Sequence, residues 1–255
     1  MMVMATQFQE LLRTEKPLLG TLLSLPSPEI AEVCVLTGFD WLFLDMEHGL
    51  LDYAAVQRMI QAVAGRIPCI VRVPTNESMW IGKALDTGAD GLIFPHVNSA
   101  DEAHACVRAA KYPPQGARSV GIARAQAYGT RLREAIANAN RDIILIAQAE
   151  HVDAVRSIDD ILSVPGIDGV FIGPYDLSAS LGIPGQVGDP AVREAIGRVR
   201  RAAGIAGRPV GILAGSPEAA KAAVADGYKL ICLATDTLLL ADGAHRLIRE
   251  AKAGM

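Results

Sequence analysis

The stretch "FDWLFLDMEHG" (39–49) places Asp45, Glu47 and His48 within four positions. Histidine, with an unperturbed pKa of about 6.5, is the side chain best suited to take up a proton near neutral pH, which makes His48 the candidate general base. Asp45, three residues earlier, is expected to fix its tautomer and raise its basicity. Arg72, in "GRIPCIVRV" (65–73), keeps its charge at any ordinary pH and must meet an anion. That anion is either a neighbour such as Asp45 or Glu150, or an oxyanion that develops during a reaction, where losing one such donor costs about 10²–10³-fold in rate. "DIILIAQAE" (142–150) delivers Gln148 and Glu150, and "GPYDLS" (173–178) delivers Asp176.

Taken singly, Glu150 and Asp176 read as solvated acids on a rim. Together with Arg72 and His48 they form an oxygen-only pair suited to a hard divalent ion such as Mg2+, Mn2+ or Co2+, which keeps several waters and leaves positions for a ligand's own oxygens. Zinc is disfavoured, because no histidine or cysteine joins the pair at ligand spacing. His96 is a reserve candidate for the base, whereas His104, His151 and His245 fall on helical segments. Ion, base and cation together suit removal of a proton next to a carbonyl, with the ion as Lewis acid on a 2-oxo acid. An aldehyde is the usual electrophile for the resulting enolate, so aldol chemistry is the default. Decarboxylation on the same core, or a barrel that binds a 2-oxo acid without turnover, are the alternatives. A Schiff-base route needs a desolvated inner lysine, and Lys16, Lys83, Lys111, Lys221, Lys229 and Lys252 all fall on helices, loops or the entry to the last strand.

The elements that must position these residues are legible as a repeat. "TGFDWLFLD" (37–45), "TGADGLIFP" (87–95) and "PGIDGVFIG" (165–173) share Gly-x-Asp followed by an apolar run, and "DGYKLICLA" (226–234) is a weaker copy. Each glycine can end a helix in the left-handed conformation, and each run reads as a short strand buried on both faces. "LGTLLSL" (19–25), 65–73, 142–150 and "GRPVGIL" (207–213) bring the strand candidates to eight. Helical periodicity follows each strand, starting at Ser27-Pro28, over 54–63, 78–86, 100–110, 152–163 and 191–204, at Ser216-Pro217, and over 237–251. Eight alternations in one domain over residues 1–255 predict an α/β fold of the (β/α)8 TIM barrel type, whose site lies at the carboxyl ends of the strands. An open doubly wound sheet would carry G-x-G-x-x-G after the first strand, and this chain does not. Residues 111–141 are too long for an ordinary connection and are expected to form a functional loop on the catalytic side.

Composition narrows the partners. Hydrophobic residues make up 51% of the chain, enough for a substantial core, and 24 basic against 28 acidic residues leave a formal charge of −4 with no like-charge run, which argues against nucleic acid. Cys34, Cys69, Cys106 and Cys232 show no C-x-x-C spacing, pointing to a reducing, cytoplasmic setting. No signal-peptide pattern opens the chain, and no apolar run approaches the roughly 18 residues of a membrane helix.

"LLGTLLSLPSPEIAEVCVLTGFDWLFLDMEHG", "KYPPQGARSVG", "QAE" and "GVFIGPYDLSASLG" together resemble the metal-dependent, pyruvate-type class II aldolases of the HpcH/HpaI family over nearly the whole chain. The resemblance implies a barrel whose last helix is exchanged between subunits, in a hexamer built as a trimer of dimers, and a small 2-oxo acid and an aldehyde as substrates. It also implies roles. His48 matches the base, Asp45 its dyad partner, Arg72 the enolate-stabilising residue, and Glu150 and Asp176 the metal ligands. Gln148 matches a substrate contact, the backbone around Tyr175 and Asp176 the site for the 2-oxo acid carboxylate, and Asp86 an aspartate that raises the basicity of the histidine. Leu22, Met46, Ala149 and Tyr175 depart from residues usual in relatives, on what is expected to be the aldehyde side.

Overall fold

Gly38, Gly88 and Gly166 adopt φ values of 93°, 89° and 103°, so each ends a helix in the left-handed region, as the repeat predicts. The aspartate two residues on has a second task that the sequence pattern did not disclose. In this computed structural model, which describes residues 4–253, Asp40 accepts a hydrogen bond from Leu19 N at 2.9 Å, Asp90 from Cys69 N at 2.8 Å and Asp168 from Leu145 N at 2.8 Å. Each carboxylate thus ties the start of its own strand to the strand before it. In the weaker fourth copy Lys229 stands in the aspartate's place, and its ammonium bonds Thr14 and Lys16 instead, anchoring the segment that leads into the barrel.

The elements follow in the order α1 (Met4–Arg13), β1 (Leu18–Leu23), α2 (Pro28–Leu36), β2 (Trp41–Asp45), α3 (Tyr53–Val63), β3 (Cys69–Arg72), α4 (Ser78–Asp86), β4 (Gly91–Phe94) and α5 (Ala100–Ala110). After these come α6 (Leu132–Asp142), β5 (Ile144–Ala149), α7 (Val152–Arg156), α8 (Ile158–Ser163), β6 (Gly169–Ile172), α9 (Pro174–Ser180), α10 (Pro190–Ile205), β7 (Val210–Ala214), α11 (Pro217–Ala225), β8 (Leu230–Thr235) and α12 (Asp236–Lys252). All eight strands are parallel and pair in sequence order, β8 closing on β1, so the sheet is the expected (β/α)8 barrel. Helix α1, which the apolar periodicity did not announce, carries the fully buried Phe8 into the barrel interior.

Two apolar layers hold the fold. One lies between sheet and helices. The other fills the barrel with Trp41, Phe43, Ile70, Ile93, Ile146 and Phe171 among others. Glycines on the strands make room for the largest of these: a Cβ on Gly20 would lie 2.4 Å from the Trp41 ring, and one on Gly211 would lie 2.4 Å from the ring of Phe171. Because side chains alternate along a strand, the residues two positions beyond Phe43, Ile70 and Ile146 share their inward face. Those residues are Asp45, Arg72 and Gln148. The apolar filling is therefore capped at its carboxyl end by a polar layer.

One expectation is corrected. Residues 111–141 connect α5 to β5, and since each helix runs back against its strand, this segment lies at the amino ends of the strands, away from the mouth that carries Asp45 and Arg72. Its length is spent on a 3₁₀ segment (Arg124–Gly129) and α6, which wall a cavity of about 310 Å³ beside Asp90, Arg118 and Gln126. No helix among the described residues is long and apolar enough to cross a membrane.

Candidate active site

Arg72 is the centre of the polar layer. Strand pairing sets it directly opposite Asp45, and its Nε and Nη2 donate to the two Asp45 oxygens at 2.9 and 2.8 Å. This two-point geometry is the strongest a guanidinium makes. Its Nη1 lies 3.0 Å from Glu47 Oε2 and 3.5 Å from Gln148 Oε1, and its carbon sits 5.2 Å from the centroid of the Phe43 ring beneath. Burial works against the charge, but the bonds to Asp45 and the charges of Asp45, Glu47 and Glu150 outweigh it, so the Arg72 pKa is raised.

Beside it, Gln148 donates through Nε2 to Glu150 Oε2 in the buried end of β5. Glu150 Oε1 accepts the His96 backbone N–H at 2.8 Å. His96 follows β4 with a φ of 52°, a left-handed conformation that histidine adopts more readily than most residues. Its ring bridges two acids, with Nδ1 3.2 Å from Glu150 Oε1 and Nε2 3.4 Å from Glu47 Oε1. Gly173, entering α9, approaches so closely that a Cβ there would lie 3.0 Å from Glu150 Oε2.

Glu47 is nine-tenths buried, with 10% of its side chain exposed. Its carboxyl pKa is raised, chiefly by burial and further by the charge of Glu150, against the pull of Arg72, His48 and His96. Its Oε2 forms the ion pair with Arg72 but accepts no hydrogen bond of acceptable angle. Glu47, His96 and Glu150 present ligand atoms that all lie within 4.8 Å of one another, a donor set able to hold a divalent cation. The spacing rule that counted no histidine near the acids missed this group. Glu47 and His96 end strands β2 and β4 at the same mouth as Glu150, and that shared position was the available signal.

The expected dyad takes a different form. Asp45 Oδ1 accepts from the backbone N–H of Glu47 at 3.0 Å and of His48 at 3.3 Å, so it folds the turn that carries the histidine, while its remaining capacity goes to Arg72. A turn three residues long brings the amides of those residues, and not the imidazole, to the carboxylate. The His48 ring is 64% exposed, with Nε2 3.9 Å from Glu47 Oε2. Asp86 ends α4, at the amino ends of the strands, and pairs with Arg118 Nη2 at 2.8 Å; within one chain it faces away from His48.

Asp176 lies in the first turn of α9, half-buried, next to the exposed Tyr175, and is not part of the three-residue cluster. Of the departures from the family pattern, Met46 and Ala149 are buried between sheet and helices and cannot shape a pocket in the barrel mouth. Leu22, packed on the barrel filling, and Tyr175, 60% exposed on the rim, can.

The chain is similar to several known proteins. A family model described as HpcH/HpaI aldolase/citrate lyase matches residues 19–243. A 2-keto-3-deoxy-L-rhamnonate aldolase of Escherichia coli is 38% identical over 99% of this chain and 95% of its own length. Among solved structures, an HpcH/HpaI aldolase/citrate lyase family protein from Burkholderia cenocepacia superposes with a TM-score of 0.93 at 37% identity, covering 97% of this chain and 99% of that one. The citrate synthase SbnG superposes with a TM-score of 0.87 at 30% identity, covering 96% and 97%.

Proposed function

Because the chain belongs to the HpcH/HpaI aldolase/citrate lyase family and is a metal-dependent class II aldolase, we propose that it reversibly cleaves a 4-hydroxy-2-oxo acid into pyruvate, or a close 2-oxo acid, and an aldehyde. The observation that carries this reading is the buried Arg72, fixed by Asp45 and facing the Gln148–Glu150 pair across the barrel mouth. A cation held so rigidly in a water-poor site can stabilise negative charge developing on a substrate oxygen with little reorganisation. The relative named a 2-keto-3-deoxy-L-rhamnonate aldolase supports 2-keto-3-deoxy sugar acids as the substrate class, since their C4 hydroxyl and C2 ketone are the features a retro-aldol step requires.

In this reading Arg72 stabilises the enolate oxygen, Gln148 and the backbone around Tyr175 and Asp176 orient the 2-oxo acid carboxylate, and His48, exposed at the mouth, moves the proton of the C4 hydroxyl. Asp86 would take part only from a neighbouring subunit. Glu150 and Asp176 would hold the divalent ion, which would supply Lewis acidity to the ketone. The convergence of Glu47, His96 and Glu150, with ligand atoms all within 4.8 Å of one another, is consistent with a cation in this mouth. We further assign the protein to the cytoplasm as a homo-oligomer, a hexamer of exchanged-helix dimers.

Solvent deuterium entering the methyl group of pyruvate tests the enolate step apart from the aldehyde. Exchange is expected with Mg2+, Mn2+ or Co2+ and is expected to fall about 10²–10³-fold in Arg72→Ala, in parallel with cleavage. No exchange in the wild type would overturn the reading, and undiminished exchange in Arg72→Ala would remove Arg72 from it.

A further inference from the structure

The pairing between β1 and β8 slips once. Gly20 pairs with Cys232 and Leu22 with Thr235, so β8 takes three steps where β1 takes two. The extra residue falls at Leu233–Ala234, and Ala234 has a φ of 57°, in the left-handed region that a residue with a Cβ rarely adopts. Bulges are rare between parallel strands and cluster next to active sites, where they re-aim a side chain. The side chain that follows this one is Asp236, the first residue of α12.

Asp236 is buried, and both its oxygens are fully engaged. Oδ2 accepts the backbone N–H groups of Ser24 and Leu25 at 2.9 and 2.8 Å, while Oδ1 accepts the Ser24 hydroxyl at 2.8 Å and the N–H of Thr237 at 2.8 Å. Ser24 is in turn the wall against which the turn carrying His48 is set. Its carbonyl accepts the Leu50 N–H at 3.1 Å. Gly49 packs so closely that a Cβ there would lie 3.1 Å from Ser24 Cα and 2.2 Å from the Asp45 carbonyl oxygen. Asp45 thus holds the entry to the turn, at the amides of Glu47 and His48, and Ser24 holds its exit.

We infer that Asp236 is a positioning residue for the reaction: through Ser24 it fixes the turn that sets His48 at the mouth. The inference rests on the proposed role of His48 in moving a proton and adds the group that determines where the imidazole stands. The ring is 64% exposed and its nearest acid, Glu47, is 3.9 Å away, so its place comes from the backbone beneath it and not from side-chain bonds. A displacement of about 1 Å at a reacting group can cost on the order of 10²-fold in rate. The same contacts root α12, so that helix and the turn carrying His48 are fastened at one point.

Cleavage of 4-hydroxy-2-oxopentanoate, the aldol of pyruvate and acetaldehyde, by Asp236→Ala in the wild type and in a His48→Gln background tests this. Alone, Asp236→Ala is expected to lower kcat about 10–100-fold and to change KM less than about threefold, because Arg72, Gln148 and α9 keep their places. Added to His48→Gln it is expected to cost less than about threefold, since effects transmitted through one group do not add. Asp236→Asn keeps an oxygen for the Ser24 and Leu25 amides and is expected to restore most of the rate. Equal losses in both backgrounds, or full activity in Asp236→Ala, would overturn the inference. If circular dichroism shows Asp236→Ala to be unfolded, Ser24→Ala makes the same comparison: it removes the hydroxyl bond and leaves α12 intact, and is expected to slow cleavage several-fold only where His48 is present. Full activity in His48→Gln would instead overturn the proposed role of His48, on which the inference rests.

Discussion

Asp45 and Glu47 stand two residues apart and both face Arg72, yet their energetic standing is opposite. Asp45 satisfies two guanidinium donors and two backbone amides. Asp45→Asn puts an amide donor against an arginine donor and leaves a buried charge without its partner, a change that costs about 3–5 kcal/mol. Urea unfolding should report a loss of that order, and activity should fall with it; a variant as stable as the wild type would contradict the pairing. Glu47 is a carboxylate whose ionisation burial already opposes. Glu47→Gln in metal-free protein should therefore leave the unfolding midpoint unchanged or raised, while cation binding weakens. The difference between these residues was only partly legible in the sequence. Strand periodicity put Asp45, Arg72, Gln148 and Glu150 at strand ends, because an inward face repeats every second residue. Which atoms of a short turn reach a carboxylate is not written in spacing, and so the expected Asp45–His48 contact gave way to backbone bonds.

At the level of the element, the Gly-x-Asp repeat made the barrel readable: a helix stop and a buried run recur, and the closed parallel order follows from their number. The aspartates looked like turn residues because their partners lie on the preceding strand, some twenty positions earlier. Asp90 shows what that position entails. Burial lifts its pKa to about 6, opposed by the amide of Cys69 and the charge of Arg124. A raised acid pKa means the folded state binds the proton more tightly than the unfolded chain, whose aspartate titrates near 3.8. Its ionisation thus costs stability in full above pH 6, and the cost shrinks as pH falls through 6 toward 4. Between pH 7 and 5 the wild type should gain on the order of 1 kcal/mol relative to Asp90→Asn, whose amide oxygen can still accept from Cys69. Urea midpoints of both proteins across that range check this, and parallel pH profiles would refute it.

For the whole molecule the decisive element is α12. Asp236 roots it at the mouth by accepting from Ser24 N at 2.9 Å, Ser24 Oγ at 2.8 Å and Leu25 N at 2.8 Å. Beyond that root Leu239, Leu240, Leu247 and Ile248 stand exposed along a helix whose main contacts with the barrel are to β1 and β8. The periodicity over 237–251 predicted a helix with an apolar stripe, but a stripe does not say which chain covers it. Helix α10, of comparable length, buries Val192, Val199, Ala202 and Ala203, whereas this stripe is left bare, which is what the proposed assembly would cover. In the proposed assembly Asp86, which lies at the opposite end of the barrel from His48, would act on that histidine from a second chain. Leu240→Asp combined with Leu247→Asp changes two positions seven residues apart on one helical face, far from Arg72 and Glu150. The expected outcome in analytical ultracentrifugation is dissociation to single chains with the barrel's circular dichroism intact, and with it a sharp drop in cleavage. A wild-type protein that sediments as a monomer at micromolar concentration would refute the assembly and leave the helix's leucines without a partner.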